Sequence, residues 1–432
     1  MGWQCFSPVL PHDRSRYMPT RSVARTVTTG AGGVLGEAMQ PPTSISSADT
    51  PMPWKALAGV TASVAVFGIA QGLSYPYFTF LMQKQGMSPA EIGLSAAMTP
   101  FGLIFSAFLL PRLVRSFGAR GVATVSALIV ALLFVMIGLL QNWVAWYPVR
   151  FLIGMAVNPL YILGEVWAMA LAPPRKRGRV MGFFNAMTGA GYALGPLSLA
   201  LVGSDGWPPL IIGILGFTIC ALLLAVTTGG ISGLDDDGTG PQGGGLWQFR
   251  ILAPALLLAV FVSAANQQAI YSLMPVFGAA HGLPEARLAA LISIMSVGNI
   301  FLQFPLGLMA ERYGGRAMII ACAVINLCGV ATLPFLITST AVFPILLVMG
   351  GVGYGVYTMA QIELGNRFTG QQLVAGNAAF GLMWGVGGIA GPPGAGTAMQ
   401  FIGPNGLPAV IMFLSVVLIA FATYRAVARR PS

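Results

Sequence analysis

The chain is 432 residues long, 56% apolar and only 8% charged, against the roughly 25% charged residues of an ordinary soluble domain. That balance cannot solvate a globular surface, so a soluble domain is excluded. The formal net charge of +10 raises nucleic acid as a partner, and the placement of the basic residues decides against it.

In chain order, residues 1–50 are rich in Ser, Thr, Pro, Gly and Arg with no sustained apolar run. They lack the apolar core of a secretory signal, and a disordered cytoplasmic extension is expected there. Strongly apolar segments then recur at 54–80, 91–114, 121–141, 144–170, 179–203, 207–228, 251–278, 287–309, 316–338, 341–363, 374–400 and 407–426. Each approaches or exceeds the roughly 20 residues that cross a bilayer core. Glycine inside these spans argues for helices packed closely in lipid. The organisation predicted is a six-helix bundle at 51–228, a cytoplasmic linker at 229–250 and a second six-helix bundle at 251–428. The linker is glycine-rich, and its run Asp235, Asp236 and Asp237 reads as a solvated face.

With the N-terminus inside, all of the 22 Lys and Arg residues except Lys84, Arg150 and Arg287 fall on one side. This is the positive-inside bias of short loops. It puts both termini in the cytoplasm of a bacterial plasma membrane and leaves lipid, not nucleic acid, as the macromolecular surroundings. Cys5, Cys220, Cys322 and Cys328, with His12 and His281, show no metal-ligand spacing, and no cofactor is expected.

The two bundles read as a duplication. At an offset of 196, Gln71 matches Gln267, Tyr75 matches Tyr271, Gly102 matches Gly298, and Phe105 and Phe108 match Phe301 and Phe304. The register continues through Gly118 and Gly314, Arg120 and Arg316, Tyr161 and Tyr357, Gly191 and Gly387, and Pro196 and Pro392. Chance identity between apolar segments would favour Leu, Ala and Val instead. Six crossings per unit make the repeats parallel, related by an axis along the membrane normal.

Gly307, Glu311, Arg312, Gly314 and Arg316 lie between two spans, with a degraded counterpart in Pro111, Arg115, Ser116, Gly118, Ala119 and Arg120 that lacks the acid. Arg150 and Gly154 follow on the span 144–170, and Gly182, Gly191, Gly195 and Pro196 on 179–203. Together these resemble the loop signature, the Arg-x3-Gly motif and the exporter-associated glycine motif of the major facilitator superfamily, within it the YcaD-like group. The last motif departs from the family at its closing glycine pair, which here is Leu199 and Ala200. The resemblance covers about residues 52–428. It implies an all-α membrane fold of twelve helices and secondary active transport of a small solute by alternating access. The loop residues Gly118, Arg120, Gly307, Glu311, Arg312, Gly314 and Arg316 are expected to form a cytoplasmic gate. In it Glu311 would meet the positive helix N-terminus at Arg177 or Arg179 when that side closes; enforcing topology alone is the alternative. The glycines at 182, 191 and 195 and the proline at 196 would bend and pack their helix; the motif leans the direction toward efflux, with packing alone as the alternative.

Ionisable side chains at membrane depth are costly and read as functional. Arg150, Gly154, Asn158, Tyr161 and Glu165 follow steps of four, four, three and four, which aligns them on one helix face expected to line a central cavity. Fifteen residues separate Arg150 from Glu165, about 22 Å along a helix, so they are no mutual salt bridge. The matching stripe is Gly350, Tyr354, Tyr357 and Gln361, in which an amide replaces Glu165. Gln71, Tyr75, Asn266, Gln267 and Tyr271 add a polar wall. The cavity so drawn suits a small amphipathic or uncharged polar solute.

Glu165 is expected to take up and release protons, with the proton gradient as driving force and Arg150 in a structural or modulating network. A purely structural bond or direct contact with solute remains open for Glu165. Glu363 and Arg367 read as an interfacial i,i+4 pair. No nucleophile–base pair, metal cluster or phosphate cradle points to an enzyme. A monomeric proton-coupled exporter is the expectation; an uptake symporter, or a transporter-like sensor or scaffold, is the alternative.

Overall fold

The computed structural model describes residues 54–140, 142–172, 177–227 and 249–427. The expected disorder of 1–50, and the expected linker 229–250 apart from its last two residues, lie outside the described residues.

Every described element is a helix: α1 (Trp54–Lys84), α2 (Pro89–Leu139), α3 (Trp143–Leu171), α4 (Arg177–Val202), α5 (Pro208–Thr227), the single turn α6 (Phe249–Leu252), α7 (Pro254–Ala279), α8 (Glu285–Tyr313), α9 (Gly315–Leu336), α10 (Val342–Arg367), α11 (Gly370–Ile402) and α12 (Gly406–Val427). Ten of them are long and apolar enough to cross a membrane. One of the ten, α2, is two helices in series, broken where Gly118 adopts φ 71° and ψ 152°. At the matching position Gly314 adopts φ 84° and ψ 145° between α8 and α9. A side chain strains in that region, which is why both loops carry glycine. With the limbs of α2 counted separately, and with α4, whose 26 residues are long enough but diluted by Gly, Asn and Thr, the spanning segments reach twelve.

Local sequence sets the helix starts. The Ser88 hydroxyl accepts from the Glu91 amide at 3.3 Å while the Ser88 amide donates to Glu91 Oε2 at 2.8 Å, a capping box with Pro89 in the first turn.

The duplication extends from residues to contacts. In the first half, a Cβ on Gly154 would stand 2.0 Å from the Thr99 carbonyl oxygen; in the second, one on Gly350 would stand 1.9 Å from that of Met295. Likewise Gly191 abuts the Ala65 carbonyl and Gly387 that of Phe261, each at 2.4 Å from the ideal Cβ. Donor glycine and receiving carbonyl both shift by 196. Helices therefore meet backbone to backbone, so the packing depends on the absent side chain. Phe108 and Phe304, matched in sequence, are 71% and 74% exposed on the two halves. Such exposure suits lipid rather than water.

Gly154→Ala and Gly350→Ala should each cost about 1–3 kcal/mol through forced separation of packed helices. Gly307→Ala, where nothing lies within 4 Å of the added carbon, should leave stability unchanged. Thermal melting in detergent checks the contrast.

Candidate functional site

Two seams join the halves, α2 against α11 and α4 against α8. Gly189 faces Ile300 across one seam, 2.8 Å from the ideal Cβ, and Gly385 faces Ile104 across the other at 2.5 Å, again 196 positions apart. Between them α1 reaches α7, where the Thr79 hydroxyl donates to the Ser272 carbonyl at 2.7 Å.

At the end that carries Lys84, Pro89 and Glu285, the seams are closed by different means. On α2–α11, Gly93 faces the Pro392 carbonyl and Gly396 the Pro89 carbonyl, each 2.3 Å from the ideal Cβ. On α4–α8, Lys84 Nζ lies 2.7 Å from Asp205 Oδ1 and 3.1 Å from Glu285 Oε1, and the Ser204 hydroxyl donates to Glu285. At the opposite end, near Gly118 and Gly314, no ion pair among the described residues joins the halves. The pairs there stay within the second half: Arg316 Nε lies 3.3 Å from Glu363 Oε1, and Arg367 Nε donates to the same oxygen at 2.6 Å. The predicted Glu363–Arg367 pair is present and is shared with a loop arginine.

A cavity of about 80 Å3 lies between the seams. Its aromatic walls are Tyr75, Tyr161 and Tyr192 from the first half and Tyr271, Tyr354 and Trp384 from the second. Asn185, Gln267, Gln268 and Asn299 supply amides, Thr188 and Ser296 hydroxyls, and among the described residues no lining side chain is charged. Tyr75 and Tyr271 are equivalent under the offset, and their ring centroids are 6.2 Å apart, so they meet across the pseudo-twofold axis. The Tyr271 hydroxyl shares a 2.9 Å hydrogen bond with Ser296.

Of the residues expected to line the cavity, Tyr75, Tyr161, Gln267 and Tyr271 do so. Tyr357 and Gln361 sit behind the wall, joined by a 2.6 Å hydrogen bond, with the Tyr357 ring 4.9 Å from that of Trp384. Glu165 is half-buried and within electrostatic reach of Tyr161 and Tyr357. Gln71 and Asn266 are buried, and the side-chain oxygen of each has no hydrogen-bond partner among the described residues.

Arg150 and Asn158 do not line the cavity. Arg150 is 1% exposed, donates to the Ser95 hydroxyl at 3.3 Å and stacks on Phe78 with its guanidinium carbon 4.7 Å from the ring centroid. Asn158 donates to the Leu103 carbonyl at 3.3 Å. Both turn toward α2: helical spacing puts them on the face of Tyr161, but at their depth that face meets α2 rather than the cavity.

Sequence reasoning missed Asn185, Thr188 and Tyr192 on α4, whose spacing of three and four marks one polar face, and also Gln268, Asn299 and Trp384. The glycine motif of that helix divides. Gly191 and Gly195 press on α1, Gly195 with the Ile69 carbonyl 2.4 Å from its ideal Cβ, whereas Gly182 has nothing within 4 Å and plays no part in close packing. Pro196 lies inside the helix. In the loop signature Glu311 and Arg179 are both exposed and form no ion pair among the described residues; the Arg177 side chain lies outside them. Arg312 stacks on Tyr313 at 5.4 Å, Arg120 donates to the Ala225 carbonyl near the end of α5, and Gly307 faces open space.

The family model for the Major Facilitator Superfamily matches residues 60–242 and 256–432. The MFS-type transporter YfkF of Bacillus subtilis (strain 168) is 26% identical over 351 residues, 78% of this chain and 87% of the relative. YcaD of Shigella flexneri serotype 5b is 21% identical over 341 residues, covering 79% and 86%, which bears out the group resemblance. Among solved structures, a nucleoside transporter, NupG, superimposes with a TM-score of 0.71 at 13% identity, covering 85% of this chain and 99% of that one. A bacterial homologue of the human lysosomal transporter Spinster, in an inward-facing and unoccupied conformation, also gives 0.71 at 13% identity, covering 89% and 99%.

Removing the ionic closure should loosen one seam. Lys84→Ala and Glu285→Ala should each raise the accessibility of a cysteine at position 75 to a thiol reagent applied from the Lys84 end by about two- to fivefold, since an exposed pair contributes roughly 0.2–1 kcal/mol. The swap Lys84→Glu with Glu285→Lys should recover part of the protection.

Proposed function

The chain belongs to the Major Facilitator Superfamily, and from that premise we propose that it exports a small, uncharged amphipathic solute across a bacterial plasma membrane by alternating access, in exchange for protons. The observation that carries the reading is the cavity lined by six aromatic side chains, amides and hydroxyls without a charge. Aromatic faces take up the apolar part of a solute and the amides fix its polar edge. Gln267 lines this cavity, and its amide nitrogen is buried without a hydrogen-bond partner among the described residues. A buried donor left unsatisfied costs free energy that a solute acceptor recovers.

Placing the arginine-rich loop end in the cytoplasm makes the Lys84–Glu285 end extracytoplasmic and the present conformation inward-facing. Glu165 supplies the proton site in this reading. It stands beside the tyrosines of the wall, on the half whose counterpart holds Gln361, so one carboxylate serves the pair of bundles. Efflux as the direction rests on Gly191, Gly195 and Pro196 in α4.

Proteoliposomes with an imposed pH gradient and a panel of uncharged aromatic amphiphiles test the proposal. Gradient-driven flux should fall at least tenfold in Glu165→Gln, while exchange of labelled for unlabelled solute persists. Trp384→Ala should weaken solute binding about tenfold, the loss expected for one large aromatic contact. Full gradient-driven flux in Glu165→Gln would remove the coupling role, and accumulation only in the direction of uptake would reverse the assignment of export.

A further inference from the structure

A second pocket lies at the end of the second half that carries Gly314, away from the seams. It measures about 40 Å3 and is lined by Arg316, Arg367 and Arg425, with Leu252, Ile319 and Ile320 as an apolar wall. Four helix ends converge there: the first residues of α7 and α9 and the last turns of α10 and α12. Glu363 holds Arg316 and Arg367, and Arg425 has no ion pair among the described residues. Three arginines thus line one space, two of them joined through Glu363.

Like charges brought together at one site repel, and the arrangement is stable when an anion joins them. Arg367 and Arg425 stand in helix last turns, where the partial negative charge of the carbonyls favours them. The first half does not repeat the cluster: Arg316 has its counterpart in Arg120, but Leu171 and Gly229 occupy the positions that correspond to Arg367 and Arg425. The pocket is therefore a feature of the second half alone, not a consequence of duplication.

We propose that this pocket binds a phosphate-bearing anion, the headgroup of an anionic phospholipid. Guanidinium groups match phosphate oxygens in pairs. The space is half that of the central cavity and suits a compact tetrahedral group. Leu252, Ile319 and Ile320 form one wall, a surface suited to the glycerol and first methylenes of a lipid. Inorganic phosphate shares the headgroup chemistry and lacks the apolar part. The inference rests on the membrane-spanning reading and not on transport, so its test measures no flux.

Purified protein would be reconstituted in phosphatidylcholine nanodiscs with and without phosphatidylglycerol, and lipid retained after detergent extraction would be counted by native mass spectrometry. Wild-type protein should retain phosphatidylglycerol preferentially. Arg425→Gln should reduce that retention about fivefold, the effect expected of one arginine near an anionic headgroup, whereas Arg115→Gln at an exposed position of α2 should not. Ala422→Phe, which fills the pocket with all three arginines kept, should reduce retention equally. Melting in pure phosphatidylcholine reports whether each variant folds. If inorganic phosphate stabilises the protein through Arg425 and displaces the lipid at equal concentration, the anion site stands and the lipid assignment is overturned. Equal retention in wild type, Arg425→Gln and Ala422→Phe would overturn the proposal, as would a loss matched by Arg115→Gln.

Discussion

Backbone contact between helices, made at glycines repeated 196 positions apart, is the constraint on which the rest of the structure depends. In lipid there is little hydrophobic gain from pressing one apolar helix on another, so association rests on close van der Waals approach. Gly154 on Thr99 and Gly350 on Met295 bring helices within each half to that distance. Across the seams Gly189 and Gly385 instead receive the side chains of Ile300 and Ile104. Everything polar is then placed by the frame: the cavity is the space left between the two halves, lined from α1, α3 and α4 on one side and α7, α8, α10 and α11 on the other.

The duplication is imperfect where chemistry enters. Arg120 and Arg316 are matched in sequence and follow matched glycines, yet Arg120 satisfies a carbonyl near the end of α5 while Arg316 joins a carboxylate of α10. Glu165 is opposed by Gln361, which bonds Tyr357. The frame is twofold and its charges are not.

The fold was legible because its signals are additive along the chain. Apolar length gave the crossings, and the offset of 196 gave the halves, since Gly, Tyr and Gln identities are improbable in segments built of Leu, Val and Ala. The break at Gly118 was visible through Gly314, whose loop is better marked. The cavity was legible only in part. Helical periodicity assigns residues to a face but does not say which neighbour that face meets, and so Arg150 and Asn158, aligned with Tyr161, turned out to serve the contact with α2. Conversely Asn185, Thr188 and Tyr192 lay unread in α4, because Gly191 and Gly195 drew attention to packing. Trp384 carries no sequence mark that separates a cavity wall from a lipid face.

The two seams at the Lys84 end are fastened by forces of different kinds. Glycine against carbonyl on the α2–α11 flank is a short-range contact that dissolved ions leave untouched. The Lys84, Asp205 and Glu285 cluster on the α4–α8 flank is partly exposed and weakens as ionic strength rises. Rising salt thus loosens one flank of that end and leaves the other as tight as before, so the two fastenings answer differently to the medium around them.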